Sequence, residues 1–189
     1  MILKTKFVTP VMDRIIHEVK ADTKVKQCLY IFQQSSSTNI VLDFENCSRF
    51  NDDIAERLVN SLQPKLERLT VLSNGSTITQ QMIDNLPGMI LSKLPNLNYF
   101  DFLNSDMSDD GAIKIAAIIK THSSLNYLLL RKSKIGDKGA IQLLNAIKEN
   151  KSIENLDLYR NEISYKGEQC IGQIAQEIGT YRQFNLNLW

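Results

Sequence analysis

A step of 28 residues organises the second half of this chain. Leu97, Leu125, Ile153 and Tyr181 stand at that interval, followed three residues later by Phe100, Leu128, Leu156 and Phe184. Two further on come Phe102, Leu130, Leu158 and Leu186; Met107, Ile135 and Ile163 then recur in register, as do Gly111, Gly139 and Gly167. Two looser copies precede these. Leu66, Leu69, Val71, Asn74 and Ile78 form one, with an insertion after it, and Asn39, Leu42, Phe44 and Cys47 form another with a polar first position. Chance does not produce so many aligned columns, so they mark an internal repeat.

Each copy begins like a strand and ends like a helix. In a strand, alternate side chains leave opposite faces, so the two apolar residues of a pattern such as Leu128-Leu129-Leu130 point one way and the residue between them the other. Helical spacing follows, burying Ile113, Ala116, Ala117 and Ile119 in one copy and Ile141, Leu144 and Ile147 in the next. One copy cannot cover its own apolar faces, so neighbours must stack. The recurring glycines fall near helix starts, where small size permits close approach or an unusual backbone angle. Ser108 and Ser164 are placed as helix N-caps.

The pattern L-x-x-L-x-L-x-x-(N/C/S)-x-(I/M) over this period resembles the leucine-rich repeat, and within it the long, ribonuclease-inhibitor-like class. The resemblance covers residues 39–189, with copies starting near 39, 66, 97, 125 and 153 and a terminal strand near 181. It implies an α/β fold: a right-handed, curved solenoid with parallel strands inside and helices outside. The ninth column holds Cys47, Asn74, Ser105, Ser133 and Asn161. In the family this position often bonds the turn backbones of adjacent repeats, a structural role that suits groups needing partners where a strand breaks into a loop. Serine reaches less far than asparagine, so the ladder should weaken in the middle copies.

Composition narrows the function. Hydrophobic residues make up 43% of the 189, which suits a folded domain rather than a disordered chain. A net charge of +1 without a basic run supplies no footprint for nucleic acid or an anionic membrane. No apolar run approaches the roughly 18 residues of a membrane span, and Lys4 and Lys6 interrupt any secretory signal in MILKTKFVTP. Cys28, Cys47 and Cys170 lack metal-ligand spacing and read as small buried thiols of a reducing compartment. His17 and His122 lie far apart, the latter in a helix-to-strand loop where a solvated ring is expected. Asp52-Asp53 and Asp109-Asp110 sit at helix starts and complement the helix dipole. No nucleophile elbow, phosphate loop or zinc spacing occurs, so the expectation is a non-enzymatic chain with no cofactor and no metal.

Three segments depart from the repeat. Residues 1–38 read as an N-terminal helical cap: Thr9-Pro10 starts a helix carrying Val11, Ile15, Ile16 and Val19, and CLYIF is a short buried segment. Residues 79–95 are interrupted by Pro87-Gly88, which predicts two short helical pieces. At the other end, Tyr181, Phe184, Leu186 and Leu188 begin a strand that could cap the stack, pair with another chain, or precede further sequence.

The expected binding surface is the concave strand face. Residues flanking the buried pairs project there: Tyr99, Asp101 and Leu103; Tyr127, Leu129, Arg131 and Lys132; Asp157, Tyr159 and Arg160. Tyrosine and arginine dominate interface hot spots, and clustered exposed leucines need a reason. The implied function is a module that binds a partner protein, with self-association through the C-terminal strand as a further outcome. Regulation of an enzyme, as a GTPase activator or an inhibitor, is the alternative. Fifteen Lys against seven Arg, with 21 Ile and 16 Asn, point to an A/T-rich coding sequence. Joined to a eukaryote-type repeat, this is similar to effectors that intracellular bacteria deliver into the host cytoplasm. A eukaryotic cytosolic adaptor is the other reading, and actin-filament-capping proteins share the architecture.

Overall fold

The computed structural model describes residues 39–44, 50–73 and 78–188. The expected N-terminal cap, CLYIF, Cys47 and Asn74 lie outside them. Strands and helices alternate along the described chain: β1 Asn39–Asp43, α1 Asp52–Ser61, β2 Arg68–Leu72, α2 Gln80–Lys93, β3 Tyr99–Leu103, α3 Asp109–Ile119, β4 Tyr127–Leu129, α4 Asp137–Glu149, β5 Asn155–Asp157, α5 Tyr165–Tyr181 and β6 Asn185–Asn187. The six strands make one parallel sheet in chain order, β1 to β6. Sequential parallel pairing requires a crossover after every strand, and the helices supply it.

The apolar columns face those helices. Leu128, Leu130, Ile153 and Leu158 are fully buried, and Leu156 nearly so. They join one core with Ile115, Ile119, Leu144 and Ile147 from α3 and α4. Burial of each such side chain contributes about 2 kcal/mol. On α3 the buried stripe differs from the expected one: Ala112 and Ile115 are buried, whereas Ile113 is half-buried and Ala117 exposed. Ala116 and Ile119 are buried as expected; the phase is off at the other two positions because five consecutive apolar residues, Ile115 to Ile119, leave the seam ambiguous.

The register differs from the expected columns at both ends. Asn39 faces Arg68, Arg68 faces Tyr99, Tyr99 faces Tyr127, Tyr127 faces Asn155 and Asn155 faces Asn185, giving steps of 29, 31, 28, 28 and 30. Ile40 and Leu42, rather than Leu42 and Phe44, therefore align with Leu69 and Val71, while Phe44 stacks on Phe50 at 3.8 Å. At the far end Leu186, not Phe184, aligns with Leu156. Tyr181 ends α5 at 85% exposure instead of entering the core. The cause is length, since α5 runs for 17 residues against 13 in α4.

One helix, not two, spans the insertion. Pro87 sits inside α2, although its ring removes a donor and costs about 3 kcal/mol in a helix interior. Leu86, Pro87, Gly88, Ile90 and Leu91 are all buried, and that packing offsets the local penalty. A side chain at Gly88 would stand 2.9 Å from Ile118 Cδ1, so glycine lets α2 and α3 approach.

Carboxylates lock each repeat to the next at the helix N-termini. Asp52 accepts from Thr79 N and Oγ1, each at 2.7 Å, and Asp84 accepts from Ser108 N and Oγ. Asp109 accepts from Gly136 N at 2.7 Å and Gly139 N at 3.0 Å, and Asp137 accepts from Ser164 N and Oγ. Ser108 and Ser164 cap their own helices as expected. Gly136 has no side chain to cap α4, and Asp109 from the preceding repeat caps it instead. This explains the glycine column: a Cβ at Gly139 would lie 2.6 Å from Asp109 Oδ1.

The opposite helix ends are tied similarly. Asn150 Nδ2 donates to Ile119 O and His122 O, while its Oδ1 accepts from Ser152 N and Ile153 N. Arg182 bonds Ile153 O and Ile147 O. His122 is 7% exposed, with Nε2 against Leu94 O at 3.1 Å, so the solvated ring expected from its loop position is in fact a buried tie. Burial lowers its pKa below the ordinary 6.5.

Candidate functional site

The helices lie on one side of the sheet, and among the described residues no helix or strand covers the other. Its surface is read directly from the register. Along the strand starts run Arg68, Tyr99, Tyr127, Asn155 and Asn185; along the middle run Thr70, Asp101, Leu129, Asp157 and Asn187. Leu72 and Leu103 pair beyond these, with Arg131 and Tyr159 just past the ends of β4 and β5.

The first row is aromatic and cationic. The Arg68 guanidinium lies 3.8 Å from the centre of the Tyr99 ring, and Tyr99 and Tyr127 are 5.9 Å apart with planes tilted by 38°. Such pairs fix ring orientation before any partner arrives. Burial raises the Tyr99 pKa above 10, with the neighbouring Asp101 charge adding to it. Tyr127 is 41% exposed and is the more accessible of the two.

The centre is ionic. Arg131 Nη2 donates to Asp101 Oδ2 at 2.6 Å, while Arg131 Nε lies 4.0 Å from Asp157 Oδ2, too far for a hydrogen bond. Asp101 is 3% exposed. Burial raises its pKa, Arg131 opposes the shift, and Asp157 adds to it. Asp101 Oδ1 and Arg131 Nε are both buried and without a hydrogen-bond partner. Such orphaned buried groups are costly.

The ten residues expected on this face divide into three kinds, with Tyr159, half-buried just past the end of β5, belonging to the third. Tyr99, Asp101, Tyr127, Arg131 and Asp157 are brought together as one patch. Leu103 and Leu129 are half-buried rather than exposed. Lys132 and Arg160 stand past the strand ends in left-handed turns, with φ of 52° and 57°, and Arg160 lies 5.1 Å from the Tyr159 ring. Asn104, one repeat before Lys132, has the same conformation, and these turns send Asn104 N to Arg131 O and Lys132 N to Tyr159 O.

Sequence reasoning missed Arg68, Asn155, Asn185 and Asn187. Arg68 and Asn155 occupy the Tyr99 column and could have been found by extending it. The last two were hidden by the shifted final register. Together with Tyr127, Leu129 and Asp157, the three asparagines line a depression of about 240 Å³.

The ninth column bonds turns. Ser105 Oγ and Ser133 Oγ are 3.3 Å apart, and Ser133 Oγ also donates to Arg131 O at 3.2 Å. Asn161 does more. Its Oδ1 accepts from Ser133 N and Ile135 N at 3.0 Å, and its Nδ2 donates to Leu130 O and Leu158 O at 2.7 and 2.8 Å. The longer serine contacts match the weaker middle ladder expected. Cys170 is a half-buried free thiol rather than a fully buried one. Among the described residues no group of His, Cys, Asp or Glu is arranged to hold a metal, and no helix is long and apolar enough to cross a membrane.

No protein-family model matches the chain, and no curated protein matches it in sequence. Solved structures do. Leiomodin-1 actin-binding site 2 superposes with a TM-score of 0.57 at 21% identity, over 71% of this chain and 77% of that one. A Bacteroides fragilis protein superposes with a TM-score of 0.53 at 15% identity, over 80% of this chain but 40% of its own length. At these identities the likeness is one of fold. With the repeated strand–helix unit and the single parallel sheet, the chain has a leucine-rich-repeat-like α/β fold.

Proposed function

We propose that the chain is a non-enzymatic protein-interaction module that grips its partner on the open face of the sheet. One observation carries this reading: Tyr99, Tyr127, Asp101, Arg131 and Asp157 share that face in contact, where solvated strand residues would ordinarily be small or polar. Tyrosine offers large area at low entropic cost, and the ionic centre gives register and partner selectivity. In the finer form of the proposal the solenoid is right-handed and of the ribonuclease-inhibitor-like class, which makes this face concave. The chain would act in a cytoplasm, and its composition supports delivery into a host as a bacterial effector. Inhibition or activation of an enzyme is the same binding mode with an enzyme as partner.

The leiomodin-1 neighbour is an actin-binding site, which makes actin the first partner to test. Binding is measured by interferometry on immobilised monomeric actin, alongside affinity capture from host-cell lysate. Tyr127→Ala is the control in both. A hot-spot tyrosine should cost about 2 kcal/mol, roughly thirtyfold in affinity. A captured partner whose affinity is unchanged by Tyr127→Ala would remove the open face from the proposal.

A further inference from the structure

The depression beside Tyr127 has a chemistry of its own. The charges at the centre of the face are unequal: Arg131 stands between two carboxylates, so the trio carries a net negative charge. Arg131 spends its short bond on Asp101. Asp157 has one oxygen, Oδ2, that makes no hydrogen bond among the described residues and has Arg131 Nε at 4.0 Å on one side. Its other oxygen is committed, because Asp157 Oδ1 accepts from Tyr159 N at 2.9 Å and from Asn187 Nδ2 at 3.1 Å. Asn185 likewise spends its Nδ2 on Asn155 Oδ1 at 3.0 Å, which leaves its carbonyl oxygen to accept. The lining therefore offers oxygen acceptors, one of them charged, beside Tyr127 and Leu129.

We propose that this depression is a subsite for a lysine side chain of the partner protein. The four-carbon stem lies over Leu129 and Tyr127, and the ammonium meets Asp157 Oδ2 with the asparagine carbonyls beside it. An arginine fits less well. Its planar fork gains most from a carboxylate with both oxygens free, and Asp157 has only one. A compact ammonium with three rotatable donors needs only single acceptors. An anionic group is disfavoured, because Arg131 stands between two carboxylates and the local charge is negative. The inference rests on the open face being the binding surface and adds what the partner must present there.

The side-chain amide signals of Asn155, Asn185 and Asn187 report on the site in a nitrogen–proton correlation spectrum. The probe is n-butylammonium, a lysine side chain without a backbone, with n-butanol, n-butylguanidinium and tetramethylammonium as controls at equal concentration. A saturable shift of the Asn185 and Asn187 amides is expected with n-butylammonium, smaller with the guanidinium and absent with butanol. Asp157→Asn keeps the Oδ1 acceptor that holds the Tyr159 turn, so it should fold while weakening the probe by about threefold to fivefold. Added salt should weaken it further. Equal response to butanol, or a response unchanged by Asp157→Asn, overturns the lysine subsite. If those results come while Tyr127→Ala still abolishes capture of a protein partner, the open face stands and only the lysine falls.

Discussion

Replacing Asn150 by alanine should cost the fold about 3 kcal/mol. The side chain is 4% exposed and ties two repeats. Its Oδ1 accepts from Ser152 N at 2.8 Å, Ser152 Oγ at 2.9 Å and Ile153 N at 2.9 Å; its Nδ2 donates to Ile119 O at 2.6 Å and His122 O at 3.0 Å. The carbonyls survive the change, since Ile119 O still accepts from His122 N, and the Ser152 hydroxyl, whose one proton is shared between Asn150 Oδ1 and His122 O, turns wholly to His122 O. The amides do not. Ser152 N, half-buried, loses its partner at the low end of about 1–3 kcal/mol per orphaned group, and Ile153 N, fully buried, nearer the high end. Chemical denaturation should show a lower midpoint at unchanged slope, and the melting temperature should drop by about 10 °C for a chain of this size. Amide exchange gives the sharper reading, because protection at Ile153 and Ser152 should fall more than at the distant Leu42. Lys151→Ala, exposed and adjacent, should stay within about 0.5 kcal/mol. A cost below about 1 kcal/mol for Asn150→Ala would refute the accounting of orphaned amides.

Two pH effects follow from burial. His122 titrates below 6.5 in the fold, so its contribution to stability is complete above that pH and is lost as pH falls through the lowered value. His122→Gln should flatten the wild-type decline below pH 6.5 in denaturation midpoints measured across that range. Asp101 has the opposite sign: its pKa is raised above 3.8, so the proton favours the fold, and its contribution is present below 3.8 and lost as pH rises through the raised value. Asp137, held low mainly by its Ser164 hydrogen bonds, runs against it. The difference curve between wild type and Asp101→Asn is therefore the measurement, and a flat difference in that window would refute the assignment.

Most of the architecture was legible because it is periodic. Leu125, Leu128 and Leu130 state the strand, and their recurrence states the stack. The two register errors, at Leu42 and at Leu186, were each a slip of two residues. Such a slip keeps every side chain on its face, so hydrophobic alternation gives no signal against it. Pro87 misled for a different reason: local propensity argued for a break, and tertiary burial of Leu86 and Ile90 outweighed it. His122 and Asn150 occupy one column, 28 residues apart, but their partners are carbonyls of the repeat before, which no side-chain pattern displays. At the candidate site the tyrosines and Asp101 were readable from alternation, whereas the commitment of Arg131 to Asp101 needed coordinates.

The forward grip of Asp109 on Gly136 and Gly139 gives the array a sense of direction like that of a zip, with each tooth seating the one after it. Residues 109–136 hold both the tooth and its first seat. A tandem copy of that segment would place Gly111 of the copy where Gly139 now stands, again with glycine to spare the carboxylate. At the helix N-termini, lengthening the protein by whole 28-residue links at this seam is thus chemically self-consistent, and each link would add a strand to the sheet.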